Sequence, residues 1–148
     1  MFKRIVVGLD GSDTSEKALR VACDLALKYG SELHLVHTPQ PQPVAFAMGA
    51  VAGYHAVTTM PSAEEVKTAG EMILNSGTSI VEKLKCTVTG AHLGQGDPAD
   101  NIMHYAKNGS ADLIVTGRRG LGVVGALVAG STSQRINHHA ECACLSVI

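Results

Sequence analysis

The stretch "TGRRGLGVVGALVAGSTSQ", residues 116–134, carries five glycines in nineteen positions, directly after the apolar run "ADLIVTG". Glycine costs backbone entropy and contributes no packing, so a chain collects it where the backbone must turn sharply or approach something closely. Three phosphate-loop templates compete for the segment. The Walker A pattern needs a lysine after its last glycine, and no lysine lies between Lys107 and the C-terminus, so it is excluded. The dinucleotide fingerprint matches by letters at "GLGVVG", but its glycines should run straight into a helix, whereas the next helical signal starts at Ser131. It also lacks its ribose-binding acid, because Glu141 precedes the following strand instead of ending it. The third template is Gly117-x2-Gly120-x9-Gly130-Ser131. Here Gly117 and Gly120 turn the backbone off a strand, and nine residues make an excursion and return. Gly130, Ser131 and Thr132 then present unpaired amides at a helix N-terminus, where the dipole favours an anion. Hydroxyls of Ser131, Thr132 and Ser133 add hydrogen bonds or reach a phosphate-bound magnesium ion. Arg118 and Arg119 are either solvated charges or guanidinium forks for the same phosphates.

Other residues invite a functional reading beside a plain one. Asp10 in "VVGLDGS" is a turn residue ahead of the first helix, or an acid facing a ligand. "HHAECAC" offers His138, His139, Cys142 and Cys144 to a metal. Adjacent helical histidines point about 100° apart, however, and no CxxC or HxxxH spacing is present, so buried thiols at a strand start are the reading taken. His34 and His37 read as packed strand histidines, and Asp13, Glu16 and Asp97 as helix caps rather than a catalytic carboxylate pair.

The elements that must position these residues alternate regularly. "KRIVVGL" is a continuous β-branched run, as in a strand covered on both faces. A helix follows, opened by a capping-box pattern at Asp13 and Glu16 and ended by Gly30. "SELHLVHT" is the second strand. Residues 39–61, opening on "PQPQP", form a long excursion, a lid or a subunit contact. A helix runs from Ser62 to about Lys85, weakened by Gly70 and Gly77, and "CTVTGAHLG" is a strand. Asp97 and Pro98 open the next helix, which closes at Gly109. "ADLIVTG" is a strand, Ser131 and Gln134 suggest a capped helix to about His139, and "CACLSVI" is the last strand. The pattern predicts one doubly wound α/β domain over residues 1–148, with a five-stranded parallel sheet of order 3-2-1-4-5 and helices on both faces. Ligands of such sheets bind beyond the carboxyl ends of the strands, where the winding reverses. With strand 1 beside strand 4, the tips at Asp10 and Gly117 meet there.

Composition narrows the function classes. Net charge is −1, without a Lys/Arg block, and aromatics make up 3% with no Trp, which argues against a nucleic-acid partner. The apolar stretch after "MFKR" ends at Asp10, too short for a signal peptide, and "PVAFAMGAVAGYHAV" falls short of a membrane span. The expectation is a cytoplasmic protein with four reduced cysteines and no membrane insertion.

Through "RIVVGLDGSDTSEKAL", "GDPADNIM", "ADLIVTGRRG" and "GSTSQRI", the chain resembles the universal stress protein family, in its ATP-binding branch, over nearly its whole length. The resemblance implies that Asp10 meets the adenosine end of ATP, with Leu9 and Thr38 beside it. It implies that Thr116, Gly117, Arg119 and Gly120 line the pocket, and that Gly130, Ser131, Thr132 and Ser133 hold the phosphates, magnesium arriving with them. It further implies a stress-response regulator, homodimeric through the edge strand at 142–148, with ATP or another adenine nucleotide and an unidentified protein as partners. Departures are the uncharged spacer "LGVVGALVA", the paired arginines of "RRG", and "HAECACLSVI" where relatives carry prolines around a single cysteine. Because no residue visibly positions an attacking water, the reading is a binding module with at most weak ATP hydrolysis. One alternative is a slow ATPase or phosphoryl-transfer enzyme, with Arg119 stabilising charge and a histidine such as His37 as the base. Another is a structural dimer or adaptor with a vestigial nucleotide site.

Overall fold

The computed structural model of the chain describes residues 1–41, 61–118 and 131–148. Five parallel strands, β1 (Arg4–Leu9), β2 (Glu32–His37), β3 (Val88–Leu93), β4 (Leu113–Gly117) and β5 (Ala143–Val147), form one sheet in the order β3-β2-β1-β4-β5. The four described helices are α1 (Asp13–Tyr29), α2 (Ala63–Lys83), α3 (Pro98–Asn108) and α4 (Ser131–His139). Both the predicted strand order and the helices on both faces are what the chain adopts. The excursion expected at 39–61 falls almost wholly outside the described residues.

Strand β1 is central because its side chains demand it. Ile5, Val6 and Val7 have no exposed surface, and burying each such side chain stabilises the fold by roughly 1.5–3 kcal/mol. The pleat sends alternate residues to opposite faces. Ile5, Val7 and Leu9 join Leu33, Leu35, Leu113 and Val115 against α1 and α2, while Val6, Val36 and Ile114 pack with Ile102 of α3 and Ile136 of α4. Helix α2 can sit low on its face because Gly70 and Gly77 stand where it crosses the sheet. A Cβ on Gly77 would come within 2.7 Å of Leu9 Cδ1, and one on Gly70 within 2.7 Å of Leu93 Cδ1. These glycines, which the sequence presents only as weak points, are contact positions.

Two helix starts differ from expectation. The cap of α1 is Ser12, not Asp13: Ser12 is extended (φ −80, ψ 158) and its hydroxyl accepts from Ser15 N, whereas Asp13 is already helical. Asp13 and Glu16 serve instead as first-turn acids toward the helix dipole. Helix α4 includes Ser131 as its first helical residue, where the sequence pattern suggests a cap. Asp97 caps α3 as expected, accepting from Asp100 N at 3.0 Å with Pro98 in the first turn. Gly30 ends α1 in the left-handed region (φ 66).

Candidate functional site

The carboxyl ends of β1 and β4 lie side by side, Gly8 pairing with Thr116, and the chain departs to α1 from one and toward α4 from the other. Asp10 follows β1 directly. Its Oδ1 accepts from Ser12 N at 3.0 Å and from the Ser12 hydroxyl at 2.5 Å. The carboxylate therefore orients the residue that caps α1, so the turn role of Asp10 is real.

Thr38 lies one residue past β2 and is 5% exposed. Its Oγ1 is buried with no hydrogen-bond partner among the described residues. An unpaired buried hydroxyl costs about 1–3 kcal/mol, so this group is a natural point for a ligand to satisfy. Thr116, also buried, lies on the α3/α4 face of the sheet, next to Val115 on the other face. Leu9 is buried under α2 on the opposite face, its side chain against Gly77.

Gly117 ends β4 with its α-carbon against the start of α1. A Cβ there would stand 2.8 Å from both Ser15 N and Thr14 C, all backbone atoms that cannot swing aside. Close approach explains this glycine, as expected, but the approaching group is α1 itself. From α4, Ser133 is buried and its hydroxyl donates to Arg118 O at 3.5 Å, while Arg118 N donates to Val147 O at 2.7 Å. The first turn of α4 is thus tied to the exit of β4. Thr132 is half-buried beside it. Arg135 reinforces the tie with a two-pronged contact to Asp97 and Asp100 of α3, each 2.7 Å long. Arg119, Gly120 and Gly130 lie outside the described residues, as does the side chain of Ser131.

A third wall was missed in the sequence. The β3–α3 loop reaches Thr38: a Cβ on Gly94 would lie 2.7 Å from Thr38 Oγ1 and 2.9 Å from Asn101 Cγ. Asn101 holds that loop by donating to Gln95 O and, at 2.9 Å, to Asp97 O. The glycine directly after the apolar strand "AHL" is the signal that pointed there.

His37 takes a different position from that expected of a base. Its Nδ1 donates to Leu9 O at 2.7 Å, bridging β2 to β1 on the α1/α2 face, opposite the side of the sheet that Thr116 faces. Burial pushes its pKa down, with the Leu9 carbonyl and Asp10 acting the other way. Neither of two described hollows is lined by Thr38 or Thr116, though Leu9 lines the smaller. One of about 220 Å³ runs between α1 and α2 under Ser12 and Ile73, and one of about 440 Å³ between α3 and the α4–β5 connection.

A parallel sheet whose winding reverses between β1 and β4, with a capped helix at one tip and a second helix start tied to the other, defines a doubly wound α/β protein. The model of the universal stress protein family matches residues 1–147, and the chain belongs to that family. A universal stress protein of Thermus aquaticus is 36% identical over 148 residues, covering 99% of each chain. A universal stress protein of Archaeoglobus fulgidus superposes with a TM-score of 0.73 at 25% identity, covering 100% of both chains. A structure of the protein from that organism in complex with dAMP gives 0.70 at 25% identity, covering 99% of this chain and 98% of the other.

Proposed function

We propose that the chain is an adenine-nucleotide-binding regulatory module that takes ATP, with its magnesium, in the crevice between the tips of β1 and β4. The observation that carries this reading is the buried Thr38 hydroxyl, without a hydrogen-bond partner among the described residues, at the carboxyl end of β2 next to β1. The dAMP held by the Archaeoglobus fulgidus relative supports it. In this reading Asp10 and Thr38 meet the adenosine, and the amides and hydroxyls of residues 130–133 hold the phosphates. Magnesium supplies charge neutralisation on those phosphates. The exposed edge strand β5 pairs with its counterpart in a second copy, and nucleotide binding changes how the dimer meets a protein partner in the cytoplasm.

Calorimetric titration with ATP, AMP and dAMP, with and without magnesium, tests the reading, together with mass spectrometry of small molecules released by heating fresh protein. Saturable heat with an adenine nucleotide and its absence with GTP is the expected result. No heat with any adenine compound, and none released, overturns it. Turnover of bound ATP, measured on the same samples, separates the module from the slow-ATPase reading.

A further inference from the structure

Cys23 stands on the inward face of α1 among Leu19, Ala22 and Ala26, with no exposed surface. Cys86 is delivered to the same place by the turn that ends α2. Lys85 takes the left-handed conformation (φ 59), its amide donating to Glu82 O at 2.9 Å, and Cys86 N reaches back to Val81 O at 3.1 Å. This is a Schellman-type closure, in which the residue after the left-handed position folds against the helix it terminates. A lysine adopts that conformation at a cost, so the placement of Cys86 is imposed by its surroundings. Cys86 packs on the apolar cluster that contains Cys23 and Val81, the two thiols are neighbours, and neither is bridged. Cys86 is half-buried, and a small reagent reaches it first. Cys142 and Cys144 belong to the other face, packed with α3 and α4, so the sheet separates the two cysteine pairs.

We propose that Cys23 and Cys86 are an oxidisable pair, converted by a hydroperoxide into an intramolecular disulfide that fastens the C-terminal end of α2 to the middle of α1. In the first step the Cys86 thiolate attacks the peroxide oxygen. The O–O bond breaks, Cys86 becomes a sulfenic acid, and the departing oxygen leaves as water or an alcohol after taking a proton. In the second, the Cys23 sulfur attacks Cys86 sulfur, the S–O bond breaks, and hydroxide leaves as water with the proton from Cys23. Two thiols are oxidised by two electrons and one peroxide is reduced. Burial pushes the Cys23 thiol up to about 12, the adjacent Cys86 adding to the effect, so Cys23 stays protonated at neutral pH and acts as the resolving partner. Its low thiolate fraction makes ring closure the slow step. The inference stands apart from the nucleotide reading.

The full-length protein is incubated with hydrogen peroxide, alkylated with N-ethylmaleimide and digested with trypsin without reduction. Cleavage after Arg20, Lys28, Lys85 and Lys107 isolates residues 21–28 and 86–107. The expected product is these two peptides joined, about 2 Da lighter than their sum because both thiol hydrogens are lost, and released by dithiothreitol. It disappears in Cys86→Ser and persists in a Cys142→Ser/Cys144→Ser double variant. Should Cys86→Ser fail to fold, the map of the wild-type chain decides alone. Cys86 recovered as a sulfinic acid or bridged to Cys142 or Cys144, with Cys23 alkylated only after unfolding, overturns the proposal.

Discussion

The Cα of Gly117, at the tip of β4, faces the backbone of Thr14 in the first turn of α1, with room for a hydrogen but not for a methyl group. The exit of β4 is therefore packed directly on the first turn of α1 rather than spaced from it by side chains. A glycine in a phosphate-loop pattern is easily credited to the ligand. This one is already required by the fold.

Gly117→Ala should destabilise the protein by roughly 1–3 kcal/mol, the usual cost of forcing a methyl into a packed site. Denaturant unfolding checks the value. The variant should weaken nucleotide binding only in proportion to a displaced α1. Unchanged stability would mean that the tip opens without cost.

Asp10 supports two roles that one pair of variants separates. Asp10→Asn keeps an oxygen for Ser12 N and the Ser12 hydroxyl, while Asp10→Ala removes it. Stability should fall in Asp10→Ala by about 1 kcal/mol, the worth of a helix cap, and little in Asp10→Asn. If the carboxylate meets adenosine, both variants should lose roughly ten- to a hundredfold in affinity, as expected for a hydrogen bond to a charged group. Calorimetric titration reads the second effect independently of the first.

Arg135 joins α4 to α3 through Asp97 and Asp100, but all three side chains are substantially exposed. Arg135→Ala should cost no more than about 1 kcal/mol, and the loss should shrink as salt is added. Urea titrations at low and high ionic strength measure it.

His37 predicts an acid-side loss of stability. Its folded pKa is depressed below the ordinary 6.5 by burial, so below that pH the unfolded chain binds a proton that the native chain refuses. Its contribution is complete above pH 6.5 and is lost as the pH falls toward the folded value. His37→Asn keeps a donor for Leu9 O and removes the titration. Its stability should decline less than wild type between pH 7 and pH 5 in denaturant titrations.

Much of this was legible in the residues themselves. "KRIVVGL" and "ADLIVTG" announce buried neighbouring strands because continuous β-branched runs fit only a strand covered on both faces, and Asp97–Pro98 announces a helix start. What escaped depends on contacts across the sequence. Ser12 outcompetes Asp13 as cap because Asp10 turns its hydroxyl, a relation invisible to a pattern that begins at Asp13. Gly94 and Asn101 come to Thr38 only when β3 pairs with β2, bringing Gly94 N to His37 O at 2.8 Å. Gly70 and Gly77 look like helix defects until Leu93 and Leu9 are beneath them.

The central place of β1 has a consequence for synthesis. Ile5 is held between Leu33 and Leu113, so one flank is closed early and the other only when β4 has been made. Until the ribosome has released Gly117, the central strand keeps one row of amides and carbonyls bare. Premature termination anywhere between α1 and β4 should yield a sticky fragment that chaperones hold or proteases clear, rather than a smaller folded protein.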